Sequence, residues 1–182
     1  INTVDDQVST MMEKEKVILP KEKPEAAQYM EIIKGHEKLG KKIIVDGVEK
    51  YQNYRGDGEE FVTSGFGNYN KNNKLEDSVT IDEANANLVD AINERLPIIK
   101  RNIKKFDNFP LDVRQNIVSS WYRGSLSGSP DTIKLINAGK YKEAAIEFLD
   151  NDEYRNAVSL NRRGIRKRME ATANAIKSLA NK

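Results

Sequence analysis

The sequence predicts an α+β protein in which a small antiparallel β lobe is inserted near the start of a mainly helical chain. Three observations carry this. Between Lys41 and Gly67, β-branched and aromatic residues are punctuated by Gly47, Gly56, Gly58, Gly65 and Gly67, the composition of short strands and tight turns. From Thr80 onward, apolar residues recur at helical spacing between start and stop signals. At 182 residues the chain is long enough for one well-buried core.

Residues 1–23 read as an appendage. Val4 to Lys16 has the composition of a polar helix, and Pro20 and Pro24 bracket a lysine-rich linker. With Ile1 as its first residue, the segment favours excision from something larger. Pro24 suits a first helical position, and Ala26, Met30 and Ile33 fall on one face with Tyr29 and Ile32 beside them. Gly35 and Gly40 limit that helix, so Glu37 lies at or just past its last turn. Ile43, Ile44 and Val45, then Asp46-Gly47, then Val48, make a type I′ hairpin. The segment through Phe66 continues as one glycine-rich antiparallel sheet, and Asn68 to Asn73 reads as a polar loop.

The helical part opens on Thr80-Ile-Asp-Glu83, a capping box in which each end residue satisfies an amide of the other. Ala84, Leu88, Ala91 and Ile92 form its buried stripe, and Pro97 predicts a kink or a new helix. Pro110 opens the next helix, which ends at Gly124. Ser129-Pro130 starts another, which Gly139 stops. Tyr141 to Leu149 and Asn161 to Leu179 complete the set.

Composition narrows the chemistry. With no cysteine, disulfides, thiolate zinc sites and a cysteine nucleophile are excluded. The one histidine, His36, rules out a multi-histidine metal site, so catalysis falls to carboxylates, hydroxyls, lysines or tyrosines. A net charge of +2 does not by itself imply nucleic acid, although Tyr154 to Lys182 carries eight Lys/Arg against one acid, Glu170. No run approaches the roughly 18 apolar residues of a membrane span.

Glu37 alone is one of 28 acids and reads as a solvated helix-end glutamate. Asp57 and Thr63 give it company, because they flank a tight turn in the glycine-rich segment that follows. A carboxylic acid and a carboxylate on opposite sides of a glycosidic bond are what glycoside hydrolysis requires, and a threonine hydroxyl helps to hold the water. His36 beside Glu37 either tunes its charge or is a partly exposed bystander.

Glu37 followed by Tyr54, Asp57, Thr63, Gly65 and Gly67 resembles the phage-type lysozymes of glycoside hydrolase family 24, to which the pesticin-type domain is related. The likeness extends to Phe109–Gly124, similar to that family's central helix, to Asp131–Ala145, and to the Asn161-Arg162-Arg163 run, over roughly residues 30–175. It implies a lysozyme-like catalytic domain over 24–182, with a β lobe over about 38–75, a helical lobe over about 76–182 and the active-site cleft between them. It also implies an inverting muramidase that cuts the β-1,4 bond between N-acetylmuramic acid and N-acetylglucosamine.

In that reading Glu37 is the general acid, Asp57 positions the water and Thr63 assists. Arg162 is the late arginine that reaches the glutamate. Tyr69, Trp121 and Tyr122 line the cleft. No cofactor or metal is required. The partner is the peptidoglycan strand rather than nucleic acid, the isolated domain is a monomer, and the site of action is the bacterial cell wall in the periplasm. Free endolysin, tail-puncturing domain and bacteriocin killing domain all remain open. Nineteen residues separate Glu37 from Asp57, more than the family's spacing. Asp46 sits at the shorter spacing, but Gln52 stands where its threonine belongs. A lytic transglycosylase acting on the same bond, or a helical nucleic-acid-binding protein with a basic C-terminus, are the alternatives.

Overall fold

The computed structural model describes residues 24–181. The tether expected over 1–23 lies outside the described residues. Helix α1, Ala27–His36, is preceded by a turn in which the amides of Ala27 and Gln28 bond the carbonyls of Pro24 and Glu25. Pro24 therefore stands ahead of the helix, not at its first position. Ala26, Tyr29 and Ile33 are fully buried, with Met30 and Ile32 packed at the edge of the same core. The helix closes on Glu37, whose backbone is extended and whose amide donates to the Ile33 carbonyl at 2.8 Å.

The β lobe comprises two small sheets. Strands β1, Lys42–Val45, and β2, Val48–Gln52, are antiparallel around Asp46 and Gly47. Both turn residues have positive φ (50° and 78°), as the Asp-Gly pair predicts. Strand β5, Ser78–Val79, joins the far edge of β2. The second sheet pairs β3, Val62–Ser64, with β4, Asn68–Asn70. The expected single sheet is thus divided, because the segment between Gln52 and Val62 bends through its glycines and keeps only a bridge of Tyr54 to Thr63. The expected polar loop begins as strand β4.

Helix α2 runs unbroken from Ile81 to Asn102, with the predicted Thr80–Glu83 capping box in place. Pro97 does not divide it. The proline and Asn93, whose carbonyl it leaves unpaired, are both exposed, so solvent can satisfy that carbonyl while buried Leu96 and Ile99 hold the helical phase. A short 3₁₀ turn at Phe106–Asn108 leads to α3, Leu111–Arg123, which ends on Gly124 at φ 94°.

Helices α4, Pro130–Asn137, and α5, Tyr141–Leu149, follow, with Gly139 at φ 74° between them. Helix α6, Asp152–Ser159, was not expected from the sequence. It buries only Ala157, too little to create a stripe, yet the Asn151 side chain caps it through the Tyr154 amide at 2.8 Å. Helix α7 spans Arg163–Ser178 and runs into a final 3₁₀ turn. Helix α3 lies centrally, packed against α1, α2 and α7. Among the described residues, no helix is long and apolar enough to cross a membrane.

Candidate active site

Where α1 ends, the β lobe meets the helical lobe, and a cleft of about 580 Å³ opens between them. Glu37 stands in it because it terminates α1: the helix is anchored in the core by Tyr29 and Ile33, and its last residue emerges at the junction. The Glu37 carboxylate accepts a hydrogen bond from Nη1 of Arg168 at 2.8 Å, and the Arg168 side chain is only 8% exposed. That guanidinium is held by α3 as well. Its Nε donates to Ser119 Oγ at 3.2 Å and its Nη2 to the Ser119 carbonyl at 3.0 Å.

The arginine that reaches Glu37 is therefore Arg168, not Arg162. Arg162 stands at the residue before α7, makes no capping bond with its side chain, and is exposed. Six residues at 100° each turn a helix to a different face. That rotation carries Arg168, not Arg162, onto the side of α7 that packs on α3. The resemblance points to Arg162, but the run Arg162–Arg168 holds four arginines, and the packing of α7 on α3 selects the last of them.

Thr63 lies across the cleft from the helical lobe, at the centre of β3. Its backbone pairs with Tyr69 on one side and Tyr54 on the other, so the three side chains line one wall together. The Tyr54 amide donates to the Thr63 carbonyl at 3.0 Å, and the Thr63 amide returns a bond of 2.7 Å. The Tyr54 hydroxyl donates to the Lys38 carbonyl, which ties this wall to the residue after Glu37. The Tyr69 hydroxyl accepts from the amides of Glu60 and Phe61.

Gly67, at φ 71°, forms the floor beneath Glu37. A Cβ there would lie 2.6 Å from the Glu37 carboxyl carbon. The turn that holds Gly67 is pinned from the helical lobe, where the Tyr122 hydroxyl donates to the Phe66 carbonyl. Burial, and then the charge of Glu37, push the Tyr122 phenol up to about 12, against the opposing effects of Arg95 and Arg168. The Arg95 guanidinium lies 4.8 Å from the centre of the Tyr122 ring. On the outer rim Arg123 pairs with Glu153 and donates to Ser125 Oγ.

Of the residues expected from the sequence, Glu37, Thr63, Tyr69 and Tyr122 meet in this cleft. Trp121 does not line it. One residue earlier on α3, it points 100° away and is buried in the core cluster. Asp57 does not line it either. It is exposed at the tip of a turn that the Glu59 amide closes onto the Gly56 carbonyl at 3.1 Å, with Gly58 at φ 75° in the following position. Asp46, at the distant β1–β2 turn, is likewise exposed. The acid that this loop brings into the cleft is Glu59. His36 is exposed beside Glu37. Among the described residues, no group of three or more His, Asp or Glu side chains is arranged to hold a metal ion. No family model, curated protein or solved structure matches the chain.

Proposed function

We propose that the protein is a peptidoglycan hydrolase, a muramidase that cleaves the β-1,4 bond between N-acetylmuramic acid and N-acetylglucosamine in the bacterial cell wall. The observation that carries this reading is Glu37, a carboxyl fixed by Arg168 at the mouth of an interlobe cleft whose opposite wall presents Thr63. The resemblance to the phage-type lysozymes adds the substrate and the inverting course. Tyr54 and Tyr69 give the cleft wall aromatic surface of the kind that sugar rings stack on.

In this mechanism Glu37 donates its proton to the glycosidic oxygen as the bond to C1 lengthens. Water attacks C1 from the opposite face, and Thr63 helps to hold it. Three of the arginines in the basic C-terminal run are engaged within the chain: Arg155 with Asp150 and Asp152, Arg166 with Glu170, and Arg168 with Glu37.

The test is digestion of purified sacculi by the wild type and by Glu37→Gln. The glutamine keeps an oxygen for Arg168 but has no proton to give. A fall of at least about 10²-fold in released reducing ends, with an unchanged melting temperature, supports the assignment. Retained activity overturns it. Products with the mass of an anhydro sugar would identify a transglycosylase instead.

A further inference from the structure

We propose that Glu59 is the second carboxylate of the cleft, the base that takes the proton from the attacking water; this inference rests on the muramidase reading above. An inverting hydrolysis needs a base on the side of the sugar away from the acid, with room for one water between. Three acids line the cleft: Glu37, Glu59 and Glu153. Glu37 is the proton donor, and Glu153 is held by Arg123 on the outer rim. Glu59 is the acid that remains, and it stands on the β-lobe wall with Thr63.

The loop is built to aim it there. The turn over Gly56–Glu59 reverses the chain, and the Glu59 side chain folds back so that its Oε2 accepts from the Gly56 amide at 3.1 Å. A Cβ on Gly56 would lie 2.8 Å from that carboxylate, so a larger residue there would push the exposed Glu59 side chain out of this position. The backbone amide fixes one oxygen, which leaves the other for water. The same turn that places Glu59 in the cleft turns Asp57 outward at its tip. Tyr54 lines the same cleft as Glu37 and Glu59, and its phenol is pushed up by burial and then by the negative charges of these two residues.

The step balances. The C1–oxygen bond to the leaving sugar breaks and its oxygen takes the Glu37 proton. The water oxygen bonds C1 on the opposite face and its proton passes to Glu59. Product departure and solvent exchange then restore both groups.

The experiment measures kcat and KM on soluble wall fragments for wild type, Glu37→Gln, Glu59→Gln and Asp57→Asn, with thermal unfolding as the check on folding. Glu59→Gln preserves an oxygen for the Gly56 amide and removes the base. It should lower kcat by about 10²–10⁴-fold and flatten the acidic limb of the pH profile, which reports the base. Asp57→Asn should stay near wild type. The proposal is overturned if Glu59→Gln retains near-wild-type kcat, if its acidic limb persists, or if Asp57→Asn suffers the loss instead. Loss in Glu37→Gln with full activity in Glu59→Gln would sink this proposal and leave the muramidase reading standing. A wild type that cleaves no wall fragment would end both.

Discussion

Replacing Tyr122 with phenylalanine removes one hydroxyl from the contact between the two lobes, and its effect should depend on pH in a direction the structure fixes. The native phenol is pushed up to about 12, whereas an unfolded tyrosine titrates near 10. Between those values the native chain holds a proton that the unfolded chain has released, so stability falls as pH rises. It is fully present below about pH 10 and gone above about pH 12. At about 1.36 kcal/mol per pH unit, the gap corresponds to roughly 2–3 kcal/mol. At neutral pH the variant loses the bond to the Phe66 carbonyl and leaves that group unpaired, at a cost of about 1–3 kcal/mol. Wild type should therefore melt several degrees above Tyr122→Phe at pH 7–9, since about 1 kcal/mol moves a domain of this size by roughly 2–4 °C. The two curves should then converge toward pH 12. Thermal unfolding followed by circular dichroism across pH 7–12 reads both. Parallel curves would refute the argument, because they would mean the phenol does not carry the alkaline loss.

Two further perturbations probe the surroundings of Glu37. Gly67→Ala should cost about 1–2 kcal/mol for a side chain at φ 71°, measured by chemical denaturation. In the reaction proposed, its loss of rate should be larger in proportion, toward about 10²-fold, because the new methyl occupies the space of the Glu37 carboxyl and a displacement near 1 Å has that effect. Arg168→Met should destabilise by about 2–4 kcal/mol, somewhat below the full cost of orphaning a buried charge, because Glu37 is 20% exposed. Arg162→Ala should leave the melting temperature within about 1 °C, as befits an exposed residue.

Local signals in the chain carried the elements well and the cleft partners less well. The Asp46-Gly47 turn, the Thr80 capping box and the Gly124 and Gly139 stops each depend on a few adjacent residues, and each is found where those residues stand. Glu37 was legible for the same reason: a helix end is a local event. Arg168 was not, because its selection over Arg162 depends on the rotation of α7 against α3, a tertiary quantity. Glu59 was hidden by the spacing between Asp57 and Thr63, which suggested a continuous hairpin with the aspartate facing the threonine. The Gly56–Glu59 turn breaks that alternation and exchanges the two acids. Trp121 and Tyr122 were inseparable in sequence, and it is the rotation of α3 against the β lobe that turns Tyr122 to the cleft and the Phe66 carbonyl.

The placement of Glu37 follows from how few contacts join the lobes around it. Helix α1 fixes its backbone from the helical side through Tyr29 and Ile33, while Gly67 limits its carboxyl from the β side. Arg168 and Tyr122 both come from the helical lobe, one to Glu37 itself and the other across the junction to the turn beneath it. Tyr54 links Lys38 to the Thr63 strand pairing, so a shift of the β lobe moves Thr63 and the approach to Glu37 together. In the reaction proposed, opening the cleft for a polymer therefore strains the Tyr122–Phe66 bond beside Glu37 rather than a remote hinge. Substitutions at Tyr54 and Tyr122 should consequently alter KM and kcat together, even though neither residue gives or takes a proton in the reaction proposed.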